Sequence, residues 1–144
     1  MHELPRMSED ALNRVRALEG YMLDAPQSPL VTRHLLHAGM YARTIVLPAG
    51  VVLTGALIKI ATVLVVNGRV KVYTGDNVLD LAGYNVVPGH AGRKQVFYAE
   101  EDTELTMMFP TTAKTVEEAE EQFTDEAARL MSRTGLNEVL ITGD

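Results

Sequence analysis

The sequence contains no cysteine and no tryptophan, and only 6% of its residues are aromatic. The lack of cysteine excludes disulfides, thiolate metal ligands and cysteine nucleophiles at once. Serine is also scarce: Ser8, Ser28 and Ser132 are the only three, and none lies in the central part of the chain. Acyl transfer by a serine or cysteine nucleophile is therefore excluded from that central part.

A surplus of positive charge is missing as well. The 144 residues include 13 basic and 19 acidic ones, which gives a formal net charge of -6. An acidic surface repels a phosphate backbone, so nucleic acid is not an expected partner. No apolar run reaches the roughly 20 residues that a membrane-spanning helix needs, and no secretion signal precedes the first helical pattern. We expect no nucleic-acid or membrane partner, and a cytoplasmic location unless the chain belongs to a larger particle.

Two helical patterns are present, one near each end of the chain. Residues 8–23 start with Ser8 as an N-cap, followed by acidic residues and an apolar stripe. Residues 115–133 start with a capping box made by Thr115 and Glu118. The predicted organisation is an N-terminal helix and linker over 1–29, a β-rich unit over 30–112, and a C-terminal helix and tail over 113–144.

The central part alternates short apolar strands with turn residues. Asn67-Gly68 is typical of a two-residue hairpin turn, and Val139-Leu140-Ile141 near the end is either a last strand or an extended arm. Many short strands at close spacing indicate a sandwich or a barrel. The predicted strands cover residues 43–47, 51–53, 57–66, 69–73, 78–82, 84–87, 95–99 and 104–109.

The histidines give little indication of a metal site. His34 and His37 are three residues apart and have no third ligand nearby, so we interpret them as solvent or loop histidines. His90 lies in a predicted turn, where a structural or solvated role is favoured. The glycine-rich stretch 89–94 lacks the spacing of a phosphate-binding loop and is predicted to be a hairpin loop.

The pattern of glycines and prolines resembles that of a cupin domain, a small jelly-roll barrel, over about residues 34–112. The resemblance implies an all-β core of the cupin type, a jelly-roll barrel with a flanking helix at each end. The residues that carry it are 38–43, Pro48-Ala49-Gly50, Leu53-Thr54-Gly55, 67–70, Ala82-Gly83, Val87-Pro88-Gly89 with Arg93-Lys94, and 108–111.

The chain departs from the cupin pattern at the metal ligands. Cupins are similar to one another in two histidines and a carboxylate near the third strand, with a further histidine later. Here Ile58 and Ile60 stand at the paired histidines and Phe109 at the later one, and residues 48–75 contain no His, Asp, Glu or Cys. The departure implies no metal, no cofactor and no catalytic residue, with both isoleucines on one face of a strand that points into the barrel.

Two functions follow from a metal-free barrel. The first is a non-enzymatic structural protein that resembles the cement or decoration proteins of tailed-phage capsids. It would form a homo-oligomer, a dimer or trimer, and bind the major capsid protein on the outer surface of the virion. The alternative is a small-ligand-binding or metal-independent enzymatic cupin that uses Tyr41, Tyr73, Asp80 or His90 at the barrel mouth. A packed interior would favour the first, and an open pocket with convergent polar groups the second.

Overall fold

The computed structural model describes residues 2–25 and 27–143. Helix α1 covers Glu9–Met22 and helix α2 covers Val116–Phe123, and two short 3-10 turns follow α2 at Ala127–Arg129 and Met131–Arg133. The strands are β1 (Val31–His37), β2 (Met40–Leu47), β3 (Val52–Thr54), β4 (Thr62–Tyr73), β5 (Val78–Gly89), β6 (Val96–Ala99), β7 (Thr103–Pro110) and β8 (Leu136–Ile141).

The eight strands form one curled sheet in the order β3-β6-β4-β7-β2-β1-β8, with β5 paired to the remaining side of β4. Every pairing is antiparallel except that of β1 with β8, which is parallel. Strand β4 pairs with β7 along its first half and with β6 along its second half. This change of partner lets the two halves of the sheet fold over a shared interior.

The predicted hairpin turn at Asn67-Gly68 is wrong, because β4 runs through these residues without a break. Strand β5 pairs with β4 along its whole length, so the two strands predicted over 78–82 and 84–87 are one. Gly68 has a φ of 144°, and a Cβ there would lie 2.5 Å from the Thr103 side-chain oxygen. The glycine therefore allows the close approach of β7 at the point where β4 exchanges one partner for the other.

The predicted strand over 57–66 begins only at Thr62. Ile58 forms an isolated bridge, in which its N–H donates to the carbonyl oxygen of Arg93 over 2.8 Å. Ile58 is buried and Ile60 is partly buried. Both side chains pack in the core as predicted, but the regular strand predicted here is wrong, because the backbone bonds to a loop and to the end of α2 instead of a ladder.

The N-terminal helix is confirmed, with Ser8 accepting a hydrogen bond from the Ala11 N–H over 3.1 Å. The second helix is shorter than the predicted 115–133, although Thr115 caps it as expected. The helix ends because Thr124 adopts an extended backbone and its hydroxyl accepts from the Glu126 N–H. A threonine that bonds its own neighbouring backbone offers the chain an alternative to helix.

The sequence did not predict β1, and it left the tail undecided. Strand β1 pairs with β2 on one side and with β8 on the other, so the tail forms a strand at the edge of the sheet. Helix α1 packs separately, through Ala11, Leu12 and Val15 together with Met7 just before it, against partly buried residues of the barrel. The barrel therefore receives a strand from its C-terminal tail and a helical cover from its N-terminal segment.

Candidate functional site: a cavity inside the barrel

A cavity of about 1030 Å³, partly open to solvent, lies inside the barrel. Its volume is near the upper end of the range of about 300–1,000 Å³ that ligand pockets occupy. Inward-facing side chains of five strands form much of its wall, and these side chains are mostly apolar. The principal ones are Ile45, Leu53, Leu64, Phe97, Leu105 and Met107.

The exposed lining of the cavity combines apolar side chains with the polar residues Gln27, Ser28 and Arg129. Leu18, Tyr21 and Leu23 belong to the C-terminal end of α1 and its continuation, and Met131 belongs to the second 3-10 turn. All four side chains are exposed, Tyr21 by 80% and Leu23 by 73%. A molecule that enters the cavity would therefore meet apolar surface on part of the rim and over most of the interior.

A buried lysine joins the two segments that flank the cavity. The Nζ atom of Lys94 lies 3.0 Å from Glu19 Oε2 in α1 and 3.3 Å from Glu126 Oε1 beyond α2. Burial, the largest influence, raises the pKa of Glu126, but the hydrogen bond from the Leu57 N–H and the charge of Lys94 together lower it. The lysine charge is thus already balanced by two carboxylates.

Arg93 is the buried cation of the cavity lining that has no carboxylate partner among the described residues. Its guanidinium donates to the His90 carbonyl oxygen over 2.7 Å and to the Thr62 hydroxyl over 2.6 Å, and its Nε has no hydrogen-bond partner. Burial lowers the pKa of Arg93 to about 10. The group still carries a charge at neutral pH, and a buried charge without a counter-charge is costly.

The other side of the interior is closed by aromatic rings. Tyr41 lies against Phe109 and Phe123, with ring centroids 5.5 Å and 6.5 Å away. The Tyr41 hydroxyl is 2.7 Å from His34 Nδ1, and His34 Nε2 is 2.7 Å from the Asn137 side-chain oxygen of β8. Burial raises the pKa of Tyr41 to about 12 and, as the largest influence, lowers the pKa of His34.

An ion-pair network continues from this aromatic cluster. Arg43 donates to Glu120 over 2.8 Å, and Arg133 donates to the second oxygen of the same carboxylate over 2.7 Å. The Ser132 hydroxyl donates to Glu120 as well. Burial, the largest influence, raises the pKa of Glu120, but the hydrogen bonds from Ser132, Arg133 and Arg43 outweigh it and lower the pKa. The network anchors α2 and the 3-10 turns to β2.

The polar residues predicted for a barrel mouth do not converge. Tyr41 is fully buried in the aromatic cluster, and Tyr73 accepts a hydrogen bond from Arg14 under α1. Asp80 lies on the surface of β5, and His90 lies in a loop with its Nε2 3.5 Å from Glu3. This candidate set is therefore wrong, because the four side chains occupy different faces of the barrel.

The interpretation of the histidines also needs correction. His34 and His37 belong to strand β1 and point to opposite faces, and His34 is buried instead of solvated. The cavity residues that sequence reasoning missed are Arg93 and Lys94. They are visible in the sequence as its one adjacent basic pair. Nothing in the local pattern indicates that both side chains are buried, because their burial depends on distant segments.

The metal chemistry typical of a cupin does not fit these residues. Phe109 faces the interior where the resemblance places a histidine, and Leu64, Val66 and Met107 face it from the neighbouring strands. Over residues 2–25 and 27–143, no three His, Cys, Asp or Glu side chains are grouped to hold a metal ion. No helix in the described ranges is both long and apolar enough to span a membrane.

The sequence matches no protein-family model and no curated protein. Solved structures with similar backbones include a cupin superfamily protein from Desulfitobacterium hafniense, with 11% identity, 63% of this chain and 85% of that chain covered, and a TM-score of 0.49. An RmlC-like cupin from Desulfovibrio desulfuricans has 17% identity and a TM-score of 0.48, and the match covers 61% of this chain and 91% of that chain.

A third similar structure is the cupin_2 domain of an XRE family transcriptional regulator from Enterobacter cloacae. Its sequence is 12% identical to this one, the match covers 58% of this chain and 99% of that domain, and the TM-score is 0.48. These similarities concern the fold alone. The mostly β architecture predicted for the chain is confirmed: the described residues form one curled eight-stranded sheet, with an α-helix before it and another ahead of its last strand.

Proposed function

We propose that this protein binds a small, largely apolar organic molecule with an acidic end, in the cavity of its barrel. The observation that carries the proposal is the cavity itself, which offers about 1030 Å³ of mostly apolar-lined space that is partly open to solvent. A cavity whose wall is mostly apolar favours a ligand with an apolar body, since its burial removes apolar area from water.

The acidic end of the ligand is inferred from Arg93. The charges of Lys94 and Arg43 are balanced by Glu19, Glu126 and Glu120, whereas Arg93 bonds only to neutral oxygen atoms. A carboxylate on the ligand would supply the missing counter-charge and hydrogen-bond acceptors, and charge-assisted hydrogen bonds are the stronger kind.

We propose binding without turnover. The described lining contains no cysteine and no histidine, and its carboxylates Glu19 and Glu126 are held in ion pairs with Lys94. General acid–base catalysis needs a group free to exchange a proton near the operating pH. These carboxylates are instead committed to a structural contact between two flanking segments.

A cavity-filling substitution tests the proposal. Ala56 lines the cavity, so Ala56→Trp should fill part of it and weaken binding of the fluorescent apolar anion 1-anilinonaphthalene-8-sulfonate at least about tenfold. The matched control is Ala61→Trp, at an exposed alanine outside the lining, which should bind the dye like the wild type. Near-UV circular dichroism checks that both variants are folded. Equal dye binding by the two variants would contradict the proposal.

The acidic end has its own test, by displacement of the same dye. Octanoate should displace it at a lower concentration than octanol, and Arg93→Gln should remove this preference while leaving octanol unchanged. Octanol and octanoate acting equally on the wild type would show that Arg93 does not select an acid, and would leave only an apolar site.

A second candidate is assembly on a larger particle, as in capsid decoration, with a dimer or trimer that binds a major capsid protein from the outer surface of a virion. The observation that favours it is the edge strand β8, on which Leu136, Val139, Leu140 and Ile141 are exposed by 48% or more. The test is to remove the protein from particles that contain it and to compare their resistance to heat. Particles that are equally resistant without it would exclude this role.

A further inference from the structure

The outer face of the sheet carries a row of apolar residues that crosses six neighbouring strands. The pairing registers place Leu140 beside Leu35, Leu35 beside Ala42, Ala42 beside Met108, and Met108 beside Val63. Pro88 of β5 ends the row, opposite Val63. Because directly paired residues point to the same side of a sheet, these six side chains form one continuous band.

The neighbouring rows extend the same surface. On one side, the next row contains Thr44, Thr106, Val65 and Val86, and the row after it ends with Tyr84 on β5 and Leu136 on β8. On the other side, Met40 of β2 lies between His37 and Pro110. We call the surface formed by these rows the outer face. Seven large apolar side chains on it are exposed by 36% or more, namely Leu35, Met40, Val63, Tyr84, Val86, Leu136 and Leu140.

The charges of the outer face are few and are already paired with one another. Arg33 Nε lies 3.0 Å from Glu138 of β8, and Arg33 NH1 lies 3.6 Å from Glu104 of β7. Between Arg33 and the far edge at β5, the rows carry threonine, valine, asparagine and tyrosine. A partner that covers this face would therefore bury these three charges together with their partners of opposite sign.

We propose that the outer face is an interface with a second copy of this chain, packed sheet against sheet around a two-fold axis. Two sheets pack face to face at about 10 Å through interlocking apolar side chains. A two-fold interface must be complementary to itself. A band of apolar and threonine side chains with internally paired charges meets that requirement, whereas an unpaired cluster of one sign would not.

The size of the outer face is adequate for a stable dimer. Six strands about 4.8 Å apart and about seven residues at roughly 3.4 Å each give a face of about 700 Å². A standard protein–protein interface buries about 800 Å² on each partner. The proposal is independent of ligand binding, because the outer face and the cavity lie on opposite sides of the same strands.

A charge placed in the band tests the interface. Val63→Glu should convert a dimer of twice the 15.8 kDa chain mass into a monomer, and should raise the dissociation constant at least about a hundredfold in sedimentation equilibrium. Val78→Glu is the matched control, because Val78 is an exposed strand valine that pairs with Tyr73, beyond the six-stranded part of the sheet. This control should remain a dimer.

Leu35→Glu provides a second variant in the same band, in case Val63→Glu does not fold as judged by near-UV circular dichroism. A monomeric wild type at tens of micromolar would overturn the proposal. So would a dimer that survives the folded band variants, because its interface would then lie elsewhere, for instance along the free edge of β8.

Discussion

The two sides of the barrel interior are built from the same strands but differ in how they are filled. Around Tyr41 and Phe109 the interior is closed, and every charged group of the network beside them has a partner of opposite sign. Phe123 and Arg43 lie at the boundary, since they pack in this cluster and also line the cavity. Around Ile45 and Met107 the same two strands border an open cavity. The closed side anchors the C-terminal segment, and the open side borders the cavity that we propose as a ligand-binding site.

The largest predicted effect comes from breaking the closed side. Glu120→Leu should lower the free energy of unfolding by about 3–5 kcal/mol, because it leaves Arg43 buried without its counter-charge. The double variant Arg43→Leu/Glu120→Leu should recover much of this loss, since no isolated charge remains. Urea unfolding measures both. The neighbouring Glu121→Leu, at an exposed position of the same helix, should change stability by no more than about 0.5 kcal/mol.

Two leucine truncations compare the packed and open parts directly. Leu81 is buried outside the cavity lining, whereas Leu105 is buried but lines the cavity. Leu81→Ala should cost about 3–4 kcal/mol and Leu105→Ala about 2–3 kcal/mol, because the cost rises with the volume of new cavity created and Leu105 already borders empty space. Equal losses in urea unfolding would contradict an open cavity.

The dependence of stability on pH near neutrality should come from the closed side. Because the pKa of His34 is lowered on folding from the ordinary 6.5, the unfolded chain binds a proton that the folded chain does not. Stability from this group is fully present above pH 6.5 and declines as the pH falls below it. Glu120 acts in the same direction at lower pH, since its pKa is also lowered on folding.

The variant His34→Gln separates the contribution of His34 to the pH dependence of stability from that of Glu120. Between pH 6.5 and 5.5 the variant should lose up to about 1.4 kcal/mol less than the wild type, the limit for one proton per pH unit. Urea unfolding of both proteins at the two pH values measures the difference. An identical loss would mean that His34 is protonated in the folded protein, which its burial opposes.

The smallest predicted effect on stability is that of filling the open side. Ala56→Trp should change the free energy of unfolding by less than about 1 kcal/mol, since the larger side chain would enter existing space instead of a packed core. Overpacking a filled core typically costs about 1–3 kcal/mol. A loss in that upper range, measured by urea unfolding, would show that the region around Ala56 is packed.

The sequence predicted the features that depend on local chemistry. The caps at Ser8 and Thr115 are side-chain to backbone hydrogen bonds over three residues, and both are confirmed. The connection over 74–77 joins β4 to β5, between the ends of the strands predicted over 69–73 and 78–82. The fold class followed from the order of strands and from the positions of glycine and proline between them.

The features that sequence reasoning missed depend on distant partners. Asn67-Gly68 has a hairpin signal, but the pairing of β5 along the whole of β4 overrides it. The tail becomes a strand because β1 is there to receive it, and its Asn137 reaches His34 across 103 residues of sequence. The cavity is the clearest case, since apolar strands that line a space look like apolar strands that fill one.

Locating a bound ligand by methyl NMR tests the open side of the barrel most directly. With octanoate present, the account predicts nuclear Overhauser contacts from its alkyl chain to the methyl groups of Ile45, Leu105 and Met107. It predicts none to Leu81, which is packed away from the cavity. Contacts confined to outer-face methyl groups such as those of Val63 and Leu35, or no saturable contact at all, would contradict a ligand-binding cavity in this barrel.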